Sequence, residues 1–337
     1  MPNVVLSRAT LTPGIRADFV TAYDQRYRGM YESLKNCMDL EKPSDKRFEI
    51  YAYYKSAPYP ERWPRGKPIP RAAFDAVQFQ VANLKWGKRI DWEREDEEDD
   101  QLGGLFPRVR QVGANFATLD ERVFFQILLG QTNKKLLPVI PNAPDGVGLF
   151  SALDGDSAAR FGVTGGNILS GSGVSEARLV RYDIYKALMR AAAFLDTEGE
   201  PLWGESIVDG VVTLVYGLHN DDVVRTAVEG GLTATAIQNV GKTDNVAGAA
   251  IMNTLVGGNF QFKRAPSPRI TDDKIRVFLG AAPHKPVFVQ NRTPVEEHIA
   301  TADTSDQTRD LDIGYVTWRA RKGYGIFLPY GAVLIDN

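Results

Sequence analysis

Apolar residues recur at helical spacing in the long segments of this chain and at strand spacing in the short ones. Ile15, Phe19, Ala22, Tyr23 and Tyr27 share one face of a helix over residues 11–35. Thr12 is placed to cap it, with Pro13 at its first position. Leu102, Leu105, Val109, Val112, Phe116, Leu119, Val123 and Ile127 step by three or four. That stripe predicts one long helix over about 106–129, rising about 36 Å at ~1.5 Å per residue. Pro107 fits only its first turn or a kink, and Gly130 is a natural stop. A further helix is predicted over 175–195 with Ser175 as its cap, and HNDDVVRTAV (219–228) reads as a helix start.

Strand spacing governs FEIYAYY (48–54) and FDAVQFQV (74–81), where Val77, Phe79 and Val81 alternate onto one face. Between them, Pro58, Pro60, Pro64, Pro68 and Pro70 forbid a helix or a central strand. The segment reads as a two-stranded excursion with an irregular tip. With about 15 extended residues per arm it would reach roughly 50 Å at ~3.3 Å per residue. A compact chain of this length has a radius of gyration of only ~20 Å. The arm is therefore expected to project and to bury little on its own body. Strands are also predicted over 207–216, 274–280 and 286–290. The C-terminus reads as two strands around a turn at Arg321–Gly323. Residues 131–175 are rich in proline and glycine, and DGVGLFSALDGDSAARFGVTGGNILSGSGVS (145–175) reads as an irregular crossing or flexible loop. Helices and strands mix without regular βαβ alternation, which indicates the α+β class.

Charge adds a second pattern. The 337 residues carry 40 Lys and Arg against 42 Asp and Glu, a net −2, which excludes a strongly basic nucleic-acid binder. The distribution is uneven. The tip over 55–71 has Lys55, Arg62, Arg65, Lys67 and Arg71 against Glu61, with Trp63 among them. EREDEEDD (93–100) has seven carboxylates and one arginine and suits the N-terminal side of the long helix. Lys55, Arg62, Trp63, Arg65, Lys67 and Arg71 on one side, and Glu95, Asp96, Glu97 and Glu98 on the other, are candidate contacts between copies. Ordinary solvated charge is the alternative for both patches.

Catalytic signatures are missing. Gly241-Lys242-Thr243 has Ala236 where a phosphate-binding loop needs glycine, so it reads as a surface turn. Gly165-Gly166 and Gly171-Ser172-Gly173 lack dinucleotide spacing and the nucleophile-elbow pattern. His219 is better explained by a helix N-terminus, and His298, after Glu296 and Glu297, by a solvated polar turn. With His284 they are the only histidines, and Cys37 is the only cysteine, expected as a small buried apolar residue. A disulfide framework within the chain is excluded. The acidic run is a weak candidate for a divalent cation. No catalytic residue, cofactor or metal site is expected. Neither a signal peptide nor a membrane-length apolar window is visible, so a soluble, cytoplasmically made protein is expected.

The order of these features resembles the major capsid proteins of tailed phages with the Hong Kong 97-type fold, and within them the Mu-like major head subunits. EREDEEDDQLGGLFPRVRQVGANFATLDERVFFQILLG carries most of the resemblance, with LTPGIRADFVTAYDQRY before it and YVTWRARKGYGIFLPYGAV near the C-terminus. The resemblance implies an N-terminal arm (1–47) and an extended loop (48–92). It also implies a peripheral domain (93–175 with 285–337) around a spine helix, and an axial domain (176–284). It implies self-assembly into hexamers and pentamers of an icosahedral shell around packaged double-stranded DNA, touched non-specifically. Scaffolding, portal and decoration proteins would be separate chains, and the shell would assemble in the host cytoplasm. Two alternatives remain: a nanocompartment shell around an enzyme cargo, and a soluble enzyme using residues 145–173.

Overall fold

The N-terminal amphipathic segment folds as α1 (Arg8–Leu34) in a computed structural model. The structure describes residues 8–54, 60, 62–65, 68–69, 76–93, 95, 104–203, 210–229, 261–280, 285–300 and 312–337. The expected start at Thr12 and Pro13 is too late, since Pro13 lies inside α1. A proline removes the bond to the carbonyl four residues earlier, here Ala9, so the loss stays in the opening turns.

The predicted long helix is present as two segments in series, α2 (Leu105–Ala117) and α3 (Leu119–Leu129). Thr118 interrupts it. Its hydroxyl donates to the Ala114 carbonyl at 3.1 Å and the Asn115 carbonyl at 3.3 Å, a pattern that bends helices. The Arg122 N–H still donates to the Thr118 carbonyl. Pro107 occupies the first turn, and Gly130 ends α3 with φ 63°. Glycine is also required at Gly113, where a Cβ would lie 2.7 Å from the Phe19 carbonyl oxygen of α1. Around that crossing Ile15, Phe19, Val109 and Phe116 bury Trp318.

The strands, in chain order, are β1 (Met38–Pro43), β2 (Phe48–Tyr54), β3 (Ala76–Ala82), β4 (Leu84–Glu93), β5 (Ile168–Ser170), β6 (Val211–Gly217), β7 (Gln261–Ser267), β8 (Ile275–Leu279), β9 (Val287–Ala300), β10 (Ile313–Ile326) and β11 (Ala332–Asp336). One sheet has the order β1-β9-β10-β4, a second β5-β11-β8-β6-β7, and β2 pairs only with β3. Strand β9 slips twice against β10. Pro294 falls in the first slip and Arg292 in the second. A bulge suits a residue without an N–H, and it re-aims the residue left over.

The turn expected at Arg321–Gly323 does not form, because β10 runs straight through it. Glycine serves close approach there rather than reversal. A Cβ at Gly323 would sit 2.7 Å from the Ala82 carbonyl oxygen, and one at Gly325 would sit 2.7 Å from the Phe288 ring. His298, expected in a polar turn, lies in β9 opposite Thr317. His219 lies in the short turn just before a helix, as expected, and contacts Asp273 at 3.0 Å.

The five-stranded sheet is packed on both faces. On one side α4 (Ala177–Ala192) and α5 (Asp221–Glu229) bring Val180, Ile184 and Val224 against Val212, Leu214 and Val277. On the other, Val215 and Phe278 meet Phe124 and Leu128 of α3, with Leu34 and Val289 nearby. Helix α4 starts after Glu176, one residue beyond the predicted cap Ser175.

The glycine-rich stretch, expected as an irregular crossing or a flexible loop, is an irregular and anchored crossing. Arg160, 1% exposed, donates to both oxygens of Asp145 at 2.7 and 3.1 Å and to the Leu149 carbonyl at 2.9 Å. Fully buried Asn167 donates to the carbonyls of Leu149, Pro329 and Ala332. The Asp183 carboxylate accepts from the Ser172 N–H and hydroxyl. Buried polar groups are tolerated when satisfied in this way. Gly241-Lys242-Thr243 and His284 lie outside the described residues.

Candidate assembly surface

Alternation in β2 and β3 gives the hairpin two unlike faces. Tyr51 pairs with Phe79, Tyr53 with Val77 and Glu49 with Val81 on the inner one. Ile50 pairs with Gln80 and Phe48 with Ala82 on the outer one. The strands are seven residues each, so the paired part is about half the predicted arm.

The inner face is seated on the chain's own body, contrary to the expectation of an arm that buries little there. Tyr51 meets Phe288 edge-on at 5.1 Å, and Phe79 meets Phe327 at 5.9 Å. The Tyr51 hydroxyl donates to Gln290 Oε1 at 2.8 Å, and Gln290 Nε2 donates to the Val81 carbonyl and to Asn83 Oδ1. The Lys42 ammonium lies 4.0 Å from the Tyr51 ring centre and within 4.9 Å of those of Phe288 and Phe327, a cation–π arrangement. Burial lowers its pKa from the ordinary lysine value, against the opposing charge of Asp39. Burial also pushes the Tyr51 hydroxyl up to about 12, with Glu49 adding to it. The glycines of β10 leave the space into which β3 settles.

The outer face has no such cover. Ile50 is 66% exposed and Phe48 40%. Further along, Trp63 and Ile69 are also more than half exposed. Arg62, Arg65 and Glu95 are exposed. Lys55, Lys67, Arg71, Asp96, Glu97 and Glu98 lie outside the described residues. Among the described residues no ion pair joins Arg62 or Arg65 to Glu93 or Glu95. On the five-stranded sheet's helical side, α4 exposes Tyr182, Tyr185 and Met189, one face at spacings of three and four.

At the hairpin's base the fold assembles a feature that the sequence does not announce. Arg47, Asn83, Leu84, Lys85, Arg292 and Arg321 line an open cleft of about 610 Å³. Lys85 of β4 stands directly opposite Arg321 of β10, and Arg292 is the residue left over at the second slip of β9. Three strands and one hairpin entry thus converge four cations. No contiguous motif could reveal a site drawn from four separate segments.

Comparison with known proteins gives a consistent result. The family model for phage capsid protein matches residues 78–335, and that for the Mu-like prophage major head subunit gpT matches residues 9–136. Among curated proteins, none matches the sequence. The capsid protein of Myoviridae phage XM1 is similar in structure, with TM-score 0.51 and 9% identity over 90% of each chain. A solved chain of Mycobacterium phage Adephagia has TM-score 0.50 and 14% identity over 90% of this chain and 89% of its own. These two likenesses show a shared fold.

Proposed function

This chain belongs to the phage capsid protein family, and on that premise we propose that it closes, copy upon copy, into the hexamers and pentamers of an icosahedral tailed-phage head. Its role is structural. The observation that carries the assembly reading is the hairpin's uncovered outer face. Phe48 and Ile50 present apolar surface on the side of the ribbon that the chain's own body leaves bare. A neighbouring copy laid over it would bury that surface. A head-to-tail contact of this kind propagates, whereas a self-complementary one would stop at two copies. Each contact needs little strength, because every subunit makes several.

The same reading assigns residues 1–47 to an arm, 48–92 to the extended loop, 93–175 with 285–337 to a peripheral domain, and 176–284 to an axial domain. Support comes from the separate apolar clusters around Trp318 and around Ile184. Two details qualify those limits: β4 pairs with β10 of the body, and β11 joins the sheet of β6 and β8. Arg62, Trp63 and Arg65, with Lys55, Lys67 and Arg71, would contact neighbours, as would the acidic run at Glu95–Glu98. Separate scaffolding, portal and decoration proteins, assembly in the host cytoplasm, and non-specific contact with packaged DNA complete the proposal.

Expression of the full chain followed by sedimentation and electron microscopy tests it. Closed shells are expected. A monomer or small oligomer under every assembly condition would contradict it. Shells that package an enzyme rather than nucleic acid would favour a nanocompartment.

A further inference from the structure

We infer that the basic cleft lined by Arg47, Lys85, Arg292 and Arg321 receives the acidic segment 93–100 of a neighbouring copy. The inference rests on the shell reading above and names one of its contacts. Like charges directly opposite on neighbouring strands repel, and Lys85 faces Arg321 in that way. Among the described residues no carboxylate pairs with any of the four cations. Glu49, close to Arg47 in sequence, has its carboxylate occupied by the Ser44 hydroxyl and the Asp45 and Lys46 N–H groups. The cleft therefore holds concentrated positive charge on a rigid sheet, without a counterion among the described residues.

The chain supplies one dense complement, the seven carboxylates of 93–100 with a single arginine. A chain cannot bring its own run to its own cleft. Glu93 and Leu84 are opposite ends of β4, about 30 Å apart at ~3.4 Å per residue. Asp100, the last carboxylate of the run, follows Glu93 by seven residues, at most about 25 Å of fully extended chain at ~3.5 Å per residue. The carboxylates that reach the cleft must come from a second molecule. Sequence alone offers the tip around Arg62 and Arg65 as receptor. The cleft differs in being preformed on paired strands, which lowers the ordering cost of binding. Phosphates of packaged DNA are the competing occupant, and the test separates them.

A fluorescent peptide spanning residues 91–102 is titrated with dissociated full-length subunit, and anisotropy is read at low and high salt. Saturable binding that weakens with salt is expected. It should fall about tenfold in an Arg292→Gln, Arg321→Gln variant and hold in an Arg62→Gln, Arg65→Gln variant. Circular dichroism checks that each variant is folded. Should the double variant unfold, Lys85→Gln alone should still weaken binding measurably. Absence of peptide binding, loss of binding in the tip variant only, or tighter cleft-dependent binding of a short DNA duplex would each overturn the inference. Peptide binding by a chain that never forms shells would sink the shell reading and leave the cleft contact standing. Shells from a chain indifferent to the peptide would do the reverse.

Discussion

The Lys322 ammonium lies 2.7 Å from Asp120 Oδ2, with both side chains nearly inaccessible to solvent. The other oxygen, Oδ1, accepts from the Tyr324 hydroxyl at 2.7 Å. One carboxylate at the start of α3 is thus shared between a cation and a phenol of β10, fixing helix against sheet beneath the hairpin. Burial drives the Tyr324 hydroxyl well above its ordinary pKa, and Asp120 adds to the effect.

Removing one partner of this pair strands the other. Asp120→Ala should destabilise the subunit by about 3–5 kcal/mol, since a buried ammonium is left uncompensated. The check is the midpoint of chemical unfolding with its slope unchanged. A midpoint equal to that of the unaltered chain would show the pair to be energetically idle.

The hairpin's seat depends on two missing side chains. Gly325→Ala would push a methyl group to 2.7 Å from the Phe288 ring, and Gly323→Ala would meet the Ala82 carbonyl. Each should cost about 1–3 kcal/mol, as overpacking does. Limited proteolysis between residues 48 and 82 should accelerate in both. Unchanged cleavage would mean that β3 does not need those glycines.

Alkaline pH should loosen the same region. Tyr27 and Tyr51 are both pushed up to about 12, chiefly by burial, with Asp120 acting on Tyr27 and Glu49 on Tyr51. A tyrosine whose folded pKa exceeds its unfolded value of about 10 stabilises fully below pH ~10. That contribution is lost as pH rises from about 10 toward 12. Ultraviolet titration of tyrosinate in the folded subunit should therefore show a fraction of the phenols ionising above the ordinary range. A single transition near pH ~10 for all of them would contradict the burial assigned here.

Polar substitution on the hairpin's outer face should separate folding from assembly. Ile50→Asp touches a residue 66% exposed, so thermal unfolding of the free subunit should barely change. Shell yield should collapse, because a carboxylate would be buried unpaired at the contact. Normal shells from this variant would place the interface elsewhere.

Periodic features were readable from sequence because one residue type repeats at one spacing. The stripe from Leu105 to Ile127 and the alternation of Val77, Phe79 and Val81 both returned as helix and strand. Contacts across the fold were not readable. Gly323 and Gly325 look like a turn locally, yet they exist for β3 and Phe288, distant in sequence. Arg160 and Asn167 anchor a stretch whose glycines suggest mobility, because a few satisfied buried polar groups leave no periodic trace. Arg47, Lys85, Arg292 and Arg321 meet only through strand register and a bulge. The charged tip and acidic run were visible as composition, and composition does not say what each one touches.

Solvent access at Ile50 before and after assembly tests the central claim most directly. The native Cys37 is fully buried and burial pushes its thiol up to about 12, so an Ile50→Cys variant carries one reactive thiol. Maleimide labelling should be rapid in the free subunit and strongly suppressed in the closed shell, where a neighbouring copy covers the hairpin. Equal labelling rates in subunit and shell would show that the outer face stays bare, and the account would fail.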